Sequence, residues 1–159
     1  MITIEQNSIY ENIPAWNVKI DNLPTDEVVK SLFNDPIKDR EFYQGGNEEV
    51  DNLIQQIKDQ CNTLIDEDTN VVISFVKDCP KYKLIPHYDN NKILGIIMIN
   101  LVDNSSSTIM YSSANEPLYT SSTKKGEGIF YKNDIRCKHG FYNDSEDYRY
   151  AIMVSINKA

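Results

Sequence analysis

The chain has 159 residues, the length of one domain, and is long enough to bury a core without disulfide or metal staples. Hydrophobic residues make up 40% and charged residues 25%, which excludes a chain that stays disordered for want of apolar surface. Sixteen basic against 24 acidic side chains leave a net charge of −8, which repels phosphate backbones and weighs against a nucleic-acid partner.

From Met1 to Trp16 no basic segment precedes a long apolar one, so no secretory leader is expected. Trp16–Ile20 reads as an N-terminal strand. At Pro24-Thr25, followed by Asp26 and Glu27, a helix starts: Thr25 caps a free N–H and the acids suit the positive end of the helix dipole. It is predicted to run to about Phe33 and to stop before Asp35-Pro36. After Gly45-Gly46, Asn47 caps a longer helix. Its stripe of Val50, Leu53, Ile54, Ile57, Cys61, Leu64 and Ile65 has amphipathic spacing. Cys61 on that stripe reads as a small buried hydrophobe.

Beyond Asp68 the period changes. Val71–Val76, Ile93–Leu101, Thr108–Tyr111, Glu127–Tyr131 and Arg149–Ile156 are rich in β-branched and aromatic residues, with Asn, Ser, Gly and Pro clusters between them. Helices followed by a run of strands predict a mostly β, α+β chain: a β-sandwich or barrel with the helices packed on one sheet. Residues 1–159 read as one domain, with a helical scaffold over about 24–66 and a barrel core over about 71–157. The longest apolar run, Ile93 to Leu101, falls far short of a membrane span. Cys61, Cys79 and Cys137 form no CxxC pair, which fits a reducing cytoplasm. Arg occurs only at 40, 136 and 149, which points to an AT-rich genome, bacterial or viral.

Only two histidines occur, His87 and His139. In Pro86-His87-Tyr88-Asp89, an extended backbone turns His87 and Asp89 to the same side. A barrel can bring His139 beside them. Two imidazoles and one carboxylate are a ligand set for non-haem Fe(II) with positions left open. An isolated His-x-Asp is, however, commonly a hydrogen-bonded surface pair. Ten residues after His139, past the turn formers Asn143, Asp144 and Ser145, stands Arg149. Inside a barrel an Arg needs an anion, and a bidentate carboxylate would satisfy it. The plain alternative is an exposed salt bridge to Asp147 or Glu146.

His-x-Asp, then a distant His, then Arg resembles the Fe(II)- and 2-oxoglutarate-dependent dioxygenases, within them the prolyl 4-hydroxylase-like group. Leu84-Ile85-Pro86-His87-Tyr88-Asp89 is similar to the group's Pro-His-x-Asp, and Lys125 to Asn133 to its Pro-Lys-Lys-Gly-Arg-Ala-Leu-Leu-Phe strand. Arg149-Tyr150-Ala151-Ile152-Met153-Val154 resembles the last strand, and Ser106-Ser107-Thr108 stands where Gly-Gly-x-Thr is frequent. The likeness covers about residues 71–157. Leu84 and Asn100 stand where relatives place tyrosines, with Tyr82 near the first.

The resemblance implies a double-stranded β-helix (jelly-roll, cupin-like) barrel. It implies Fe(II) on His87, Asp89 and His139, and 2-oxoglutarate with its far carboxylate on Arg149. O2 would be the other co-substrate and ascorbate a reductant. Asn100, Thr108 and Tyr82 are candidate hydrogen-bonding partners of 2-oxoglutarate. Phe141 and Ile152 are expected to wall the pocket, and Arg136 and Lys138 to meet the substrate. Ser112–Thr123 and the Lys77–Lys83 loop are the expected lids. The expected reaction is hydroxylation of a protein or peptide side chain. The alternatives are a free amino acid or other small molecule as substrate, or a non-oxidative cupin-like metalloprotein.

Overall fold

A computed structural model describes residues 1–34, 36, 38–62 and 69–159. In chain order the elements are β1 (Ile2–Ile4), β2 (Ala15–Ile20), α1 (Asp26–Ser31), β3 (Arg40–Phe42), α2 (Glu48–Cys61), β4 (Thr69–Asp78), β5 (Lys83–His87), β6 (Ile93–Asn100), β7 (Thr108–Tyr111), β8 (Pro117–Thr120), β9 (Glu127–Lys132), β10 (Lys138–Tyr142) and β11 (Arg149–Lys158). The larger sheet has the order β1-β2-β9-β6-β11-β4-β3, the smaller one β5-β10-β7-β8, and every pairing is antiparallel.

Both helices start where their caps predict. Thr25 Oγ1 accepts from the Val28 N–H at 3.3 Å, and Asn47 Oδ1 from the Val50 N–H at 3.1 Å. α1 ends at Ser31, two residues short of Phe33. Leu64, Ile65 and the proposed stop at Asp35 lie outside the described residues.

Strands β4, β6 and β11 read as near-continuous apolar runs because the larger sheet is covered on both faces. On its outer face, Phe75, Ile97, Ile99, Ile152, Val154 and Ile156 meet Val29 of α1 and Val50, Ile57 and Cys61 of α2. Leu53 and Ile54 only half-bury against that cluster. On its inner face, Val76, Ile96, Met98, Ile129, Tyr131 and Ala151 pack with Met110 and Cys137, towards the smaller sheet. Ile152 therefore belongs to the helix side and does not wall the inter-sheet cavity, because the two-residue period of β11 turns it away.

The strands left unread are short or carry breakers: β3 has three residues, β5 contains Pro86 and β10 contains Gly140. The expected Lys77–Lys83 loop is corrected. Lys77 and Asp78 are buried in β4 and Lys83 opens β5, so the connection is 79–82. Likewise β8 occupies part of Ser112–Thr123. No described helix is long and apolar enough to cross a membrane.

Burial sets the expected mutational costs. Ile57 is 1% exposed, so Ile57→Ala should cost about 2–5 kcal/mol in urea unfolding. Leu53→Ala should cost less, under about 2 kcal/mol, because that side chain is only partly covered by the core.

Candidate active site

β5 and β10 lie side by side with His87 and His139 as direct cross-strand partners. Asp89 follows two residues beyond the end of β5, on the side of His87. The close approach needs Gly140: a Cβ there would stand 2.6 Å from the Leu84 carbonyl oxygen, and the pairing shifts register at this point. The result is a cluster whose three ligand atoms lie within 4.8 Å of one another. Asp89 Oδ1 is 3.4 Å from His139 Nε2 and 3.8 Å from His87 Nε2.

Two details suit this cluster to a divalent metal. His87 Nδ1 sits 2.7 Å from the Ile85 carbonyl, which only accepts, so Nδ1 is the donor and the Nε2 lone pair of the neutral ring is the one turned to the cluster. Asp89 Oδ2 is buried with no hydrogen-bond partner, a costly arrangement that a cation would relieve. Two imidazoles and a carboxylate are the donor set of non-haem Fe(II) sites that leave positions open, and His87, Asp89 and His139 would supply it.

A cavity of about 120 Å³ runs between the sheets from this cluster to Arg149. Leu84, Ile96, Met98, Phe141 and Met153 give it apolar walls, and His87, Asp89, Tyr131 and His139 line it near the cluster. Tyr131 packs on His139 with ring centroids 4.4 Å apart. Burial, then the Asp89 charge, push the Tyr131 phenol well above its ordinary range, so it remains a donor.

Arg149 opens β11 and faces inward, 2% exposed. Its cross-strand partner is Asp78, whose partner on the other side is Arg40 of β3. Asp78 is fully buried. Arg40 Nε donates to its Oδ1 at 2.5 Å and Nη2 to its Oδ2 at 3.1 Å. Arg149 Nη1 stands 3.6 Å from Oδ2, near enough to feel the charge and too far for a hydrogen bond. Its Nη2 donates to Thr108 Oγ1 at 3.3 Å and its guanidinium lies 4.1 Å from the centre of the Phe141 ring. Nε and Nη1 of Arg149 are buried without an acceptor. Burial pulls this guanidinium down to about 10, against the opposing pull of Asp78, so it is charged at neutral pH. The exposed salt bridge to Asp147 or Glu146 is not formed; Glu146 faces Lys81 at 3.3 Å.

Of the residues singled out in the sequence, His87, Asp89, His139, Arg149, Thr108 and Phe141 come together around this cavity. Asn100 does not. Its Nδ2 donates to the carbonyls of Ser122 and Lys124, at 2.7 and 3.1 Å, and pins that loop. Tyr82 stands behind the wall, with Phe141 5.7 Å from its ring centre and Arg40 5.3 Å above it. Arg136 is exposed and paired with Asp134 at 2.8 Å. Lys138 donates to Asn115 and stands 5.4 Å over the Tyr88 ring. Sequence reasoning missed Arg40, Asp78 and Tyr131. The scarcity of Arg was a usable signal for the first, and the inward parity of Ile129 and Tyr131 for the last.

No family model matches the sequence, and no curated protein matches it. Solved structures do match the fold. A viral collagen prolyl hydroxylase of Paramecium bursaria Chlorella virus-1, in a 2-oxoglutarate complex, superposes with a TM-score of 0.63 at 12% identity, over 96% of this chain and 99% of that one. A Pseudomonas putida prolyl-4-hydroxylase gives 0.60 at 12% identity, over 84% and 81% of the two chains. A Trichoplax adhaerens prolyl hydroxylase, in complex with a hypoxia-inducible-factor peptide fragment, gives 0.54 at 13%, over 81% and 67%. At these identities the likeness is one of fold: the chain has the jelly-roll architecture of the 2-oxoglutarate oxygenases.

Cys137, two residues before His139, is buried in the inter-sheet core, and burial pushes its thiol up to about 11. At pH 8 it should react with a disulfide reagent roughly 100-fold more slowly than a free thiol, and faster only as pH rises towards 11. Following the reaction by mass spectrometry of the Cys137 peptide checks this.

Proposed function

We propose that this protein is an Fe(II)- and 2-oxoglutarate-dependent dioxygenase that hydroxylates a C–H bond of a protein or peptide side chain. The observation that carries the reading is a single cavity with unmet demands of opposite sign. Towards one end a buried carboxylate oxygen has no hydrogen-bond partner; at the other a buried guanidinium, 3.6 Å from an Asp78 already taken by Arg40, keeps two donors without an acceptor. The four full charges around the cavity, Arg40, Arg149, Asp78 and Asp89, cancel, so a divalent ion and a dicarboxylate dianion entering together leave the buried site neutral.

In this reading His87, Asp89 and His139 hold Fe(II), and Arg149 receives the far carboxylate of 2-oxoglutarate through its free Nε and Nη1. When bound, Fe(II), 2-oxoglutarate and O2 supply the oxidising chemistry, with ascorbate as a reductant. The protein does the rest. Thr108 steadies the Arg149 fork, the Tyr131 hydroxyl is a hydrogen-bond donor inside the cavity, and the apolar walls exclude water. Asp89 lowers the charge of the metal centre, which imidazoles alone cannot do.

The peptide substrate rests on the surface beside the more exposed ligand. Ile85 is 66% exposed, Tyr88 41% and Ile135 84%, an apolar rim next to His87 that suits a compact apolar or ring side chain. The alternative substrate, a free amino acid, would leave that rim unused. The non-oxidative reading has no use for a buried Arg149 with idle donors. We take residues 1–159 as one catalytic domain. Three free cysteines suit a reducing compartment such as the cytoplasm.

Succinate formation from 2-oxoglutarate with Fe(II) and ascorbate, with and without a peptide library, tests the activity. His139→Ala should lose stoichiometric Mn(II) or Fe(II) binding with the fold intact by circular dichroism. Arg149→Ala should keep the metal and bind 2-oxoglutarate roughly 30- to 1,000-fold more weakly, the cost of an unpaired buried anion. Arg149→Lys should fall between, because Lys keeps the charge and loses the fork. Equal affinities in wild type and Arg149→Ala, by anaerobic titration, would remove the oxygenase reading.

A further inference from the structure

We propose that Arg40 is a positioning residue for the co-substrate: by occupying both oxygens of Asp78, it keeps Arg149 free to receive the ligand's carboxylate. This rests on the reading above, in which Arg149 takes a dicarboxylate.

The geometry poses a competition. Asp78 lies between two arginines at matching register, Arg40 on β3 and Arg149 on β11. Each reaches the same carboxylate. Arg40 wins it with two parallel donors, Nε on Oδ1 and Nη2 on Oδ2. Tyr82 at 5.3 Å and Phe141 at 5.9 Å stack against its guanidinium and help to hold that pose. Arg149 Nη1 stays 3.6 Å from Oδ2, beyond hydrogen-bond distance, and two of its donors are idle. An idle buried guanidinium beside a buried carboxylate is unstable unless the carboxylate is already satisfied, and here it is.

Without Arg40, Asp78 would be a fully buried carboxylate with one cation left in reach among the described residues, Arg149. Turning Arg149 onto Asp78 would satisfy both and cancel the positive charge of the seat. The ligand would then have to break an ion pair before binding. Charge parity makes the same point. Two arginines with one aspartate carry a surplus of one positive charge, as does Arg149 alone. Arg149 with Asp78 carries none. Removing Arg40 should therefore damage binding, and removing Asp78 as well should repair it. A side chain needed only for packing would not be repaired by a second deletion.

The experiment uses the full chain with Mn(II) in place of Fe(II). Two readouts are taken on wild type, Arg40→Met, Arg40→Lys and the double variant Arg40→Met/Asp78→Asn. The first is calorimetric affinity for 2-oxoglutarate, with Mn(II) affinity alone as the control for an intact cluster. The second is the side-chain Nε–H spectrum of the ligand-free protein by nitrogen-15 NMR, which contains only three arginines. Arg40→Met should weaken 2-oxoglutarate binding by about tenfold or more and shift the Arg149 Nε–H signal with slower exchange against water. The double variant should return to within about threefold of wild type and restore the signal. Arg40→Lys, which covers one carboxylate oxygen, should be intermediate, and it serves with the double variant if Arg40→Met does not fold. An Arg40→Met or Arg40→Lys protein that binds like wild type, or a double variant no better than the single one, overturns the proposal. A wild type that binds Mn(II) but ignores 2-oxoglutarate overturns the functional reading instead. The ligand-free spectrum then still separates the two failures: an Arg149 signal unmoved by loss of Arg40 defeats the proposal as well, and a moved one leaves standing that Arg40 holds Asp78 away from Arg149, whichever anion Arg149 serves.

Discussion

A carboxylate with no exposure, Asp78, is the constraint around which the inner face of the larger sheet is arranged. Burying such an ion costs several kcal/mol unless its partners are close and well aimed. The cost is met by a row of charges crossing three adjacent strands, with Asp78 in the middle strand and an arginine on each side. That row fixes where β3 must pair, where β11 must begin and how near the smaller sheet comes, since the Phe141 ring of β10 is centred 4.1 Å from one of the guanidiniums. An apolar interior tolerates sliding by small amounts; a bidentate ion pair does not.

The larger sheet separates stability from chemistry by parity. Along β11, Ile152, Val154 and Ile156 lie under the helices, while Arg149, Ala151 and Met153 face the smaller sheet. The same alternation in β9 puts Phe130 against Trp16 on one face, ring centres 5.4 Å apart, and Tyr131 beside the metal-ligand cluster on the other. Polar and charged groups concentrate on the inner face because the outer face already supplies a continuous apolar core.

This parity explains what the sequence made legible. That the histidines, Asp89 and Arg149 meet at one cavity was readable because His and Arg are rare in the chain, with two and three copies, and Asp89 stands two residues from one of the histidines. The long strands were readable because both faces are covered. Ile152 was misplaced because a run that is apolar throughout does not say which face meets the cavity. Asn100 was misplaced because a buried amide serves a ligand or a loop equally well, and only the positions of the Ser122 and Lys124 carbonyls decide. Arg40 lay hidden because β3 has three residues, too few for a period, and its partner is 38 residues away. Contacts of that separation are made by topology, and no local pattern announces them.

The brevity of β3 has a dynamic consequence. A three-residue strand at the edge of a sheet, with β4 as its one partner strand among the described residues, belongs to the part of a protein that opens first by local unfolding. When it detaches, Arg40 leaves with it. If Arg40 holds Asp78 as proposed, the cavity would then have two populations: one with the edge strand docked and Arg149 presented, and one with the strand detached and Arg149 drawn to Asp78. An anion that prefers the first must, by linkage, hold the edge strand down as tightly as the strand presents the anion's seat. Amide exchange at Glu41 and Tyr43, whose N–H groups face β4, would thus report occupancy of a pocket that neither residue lines.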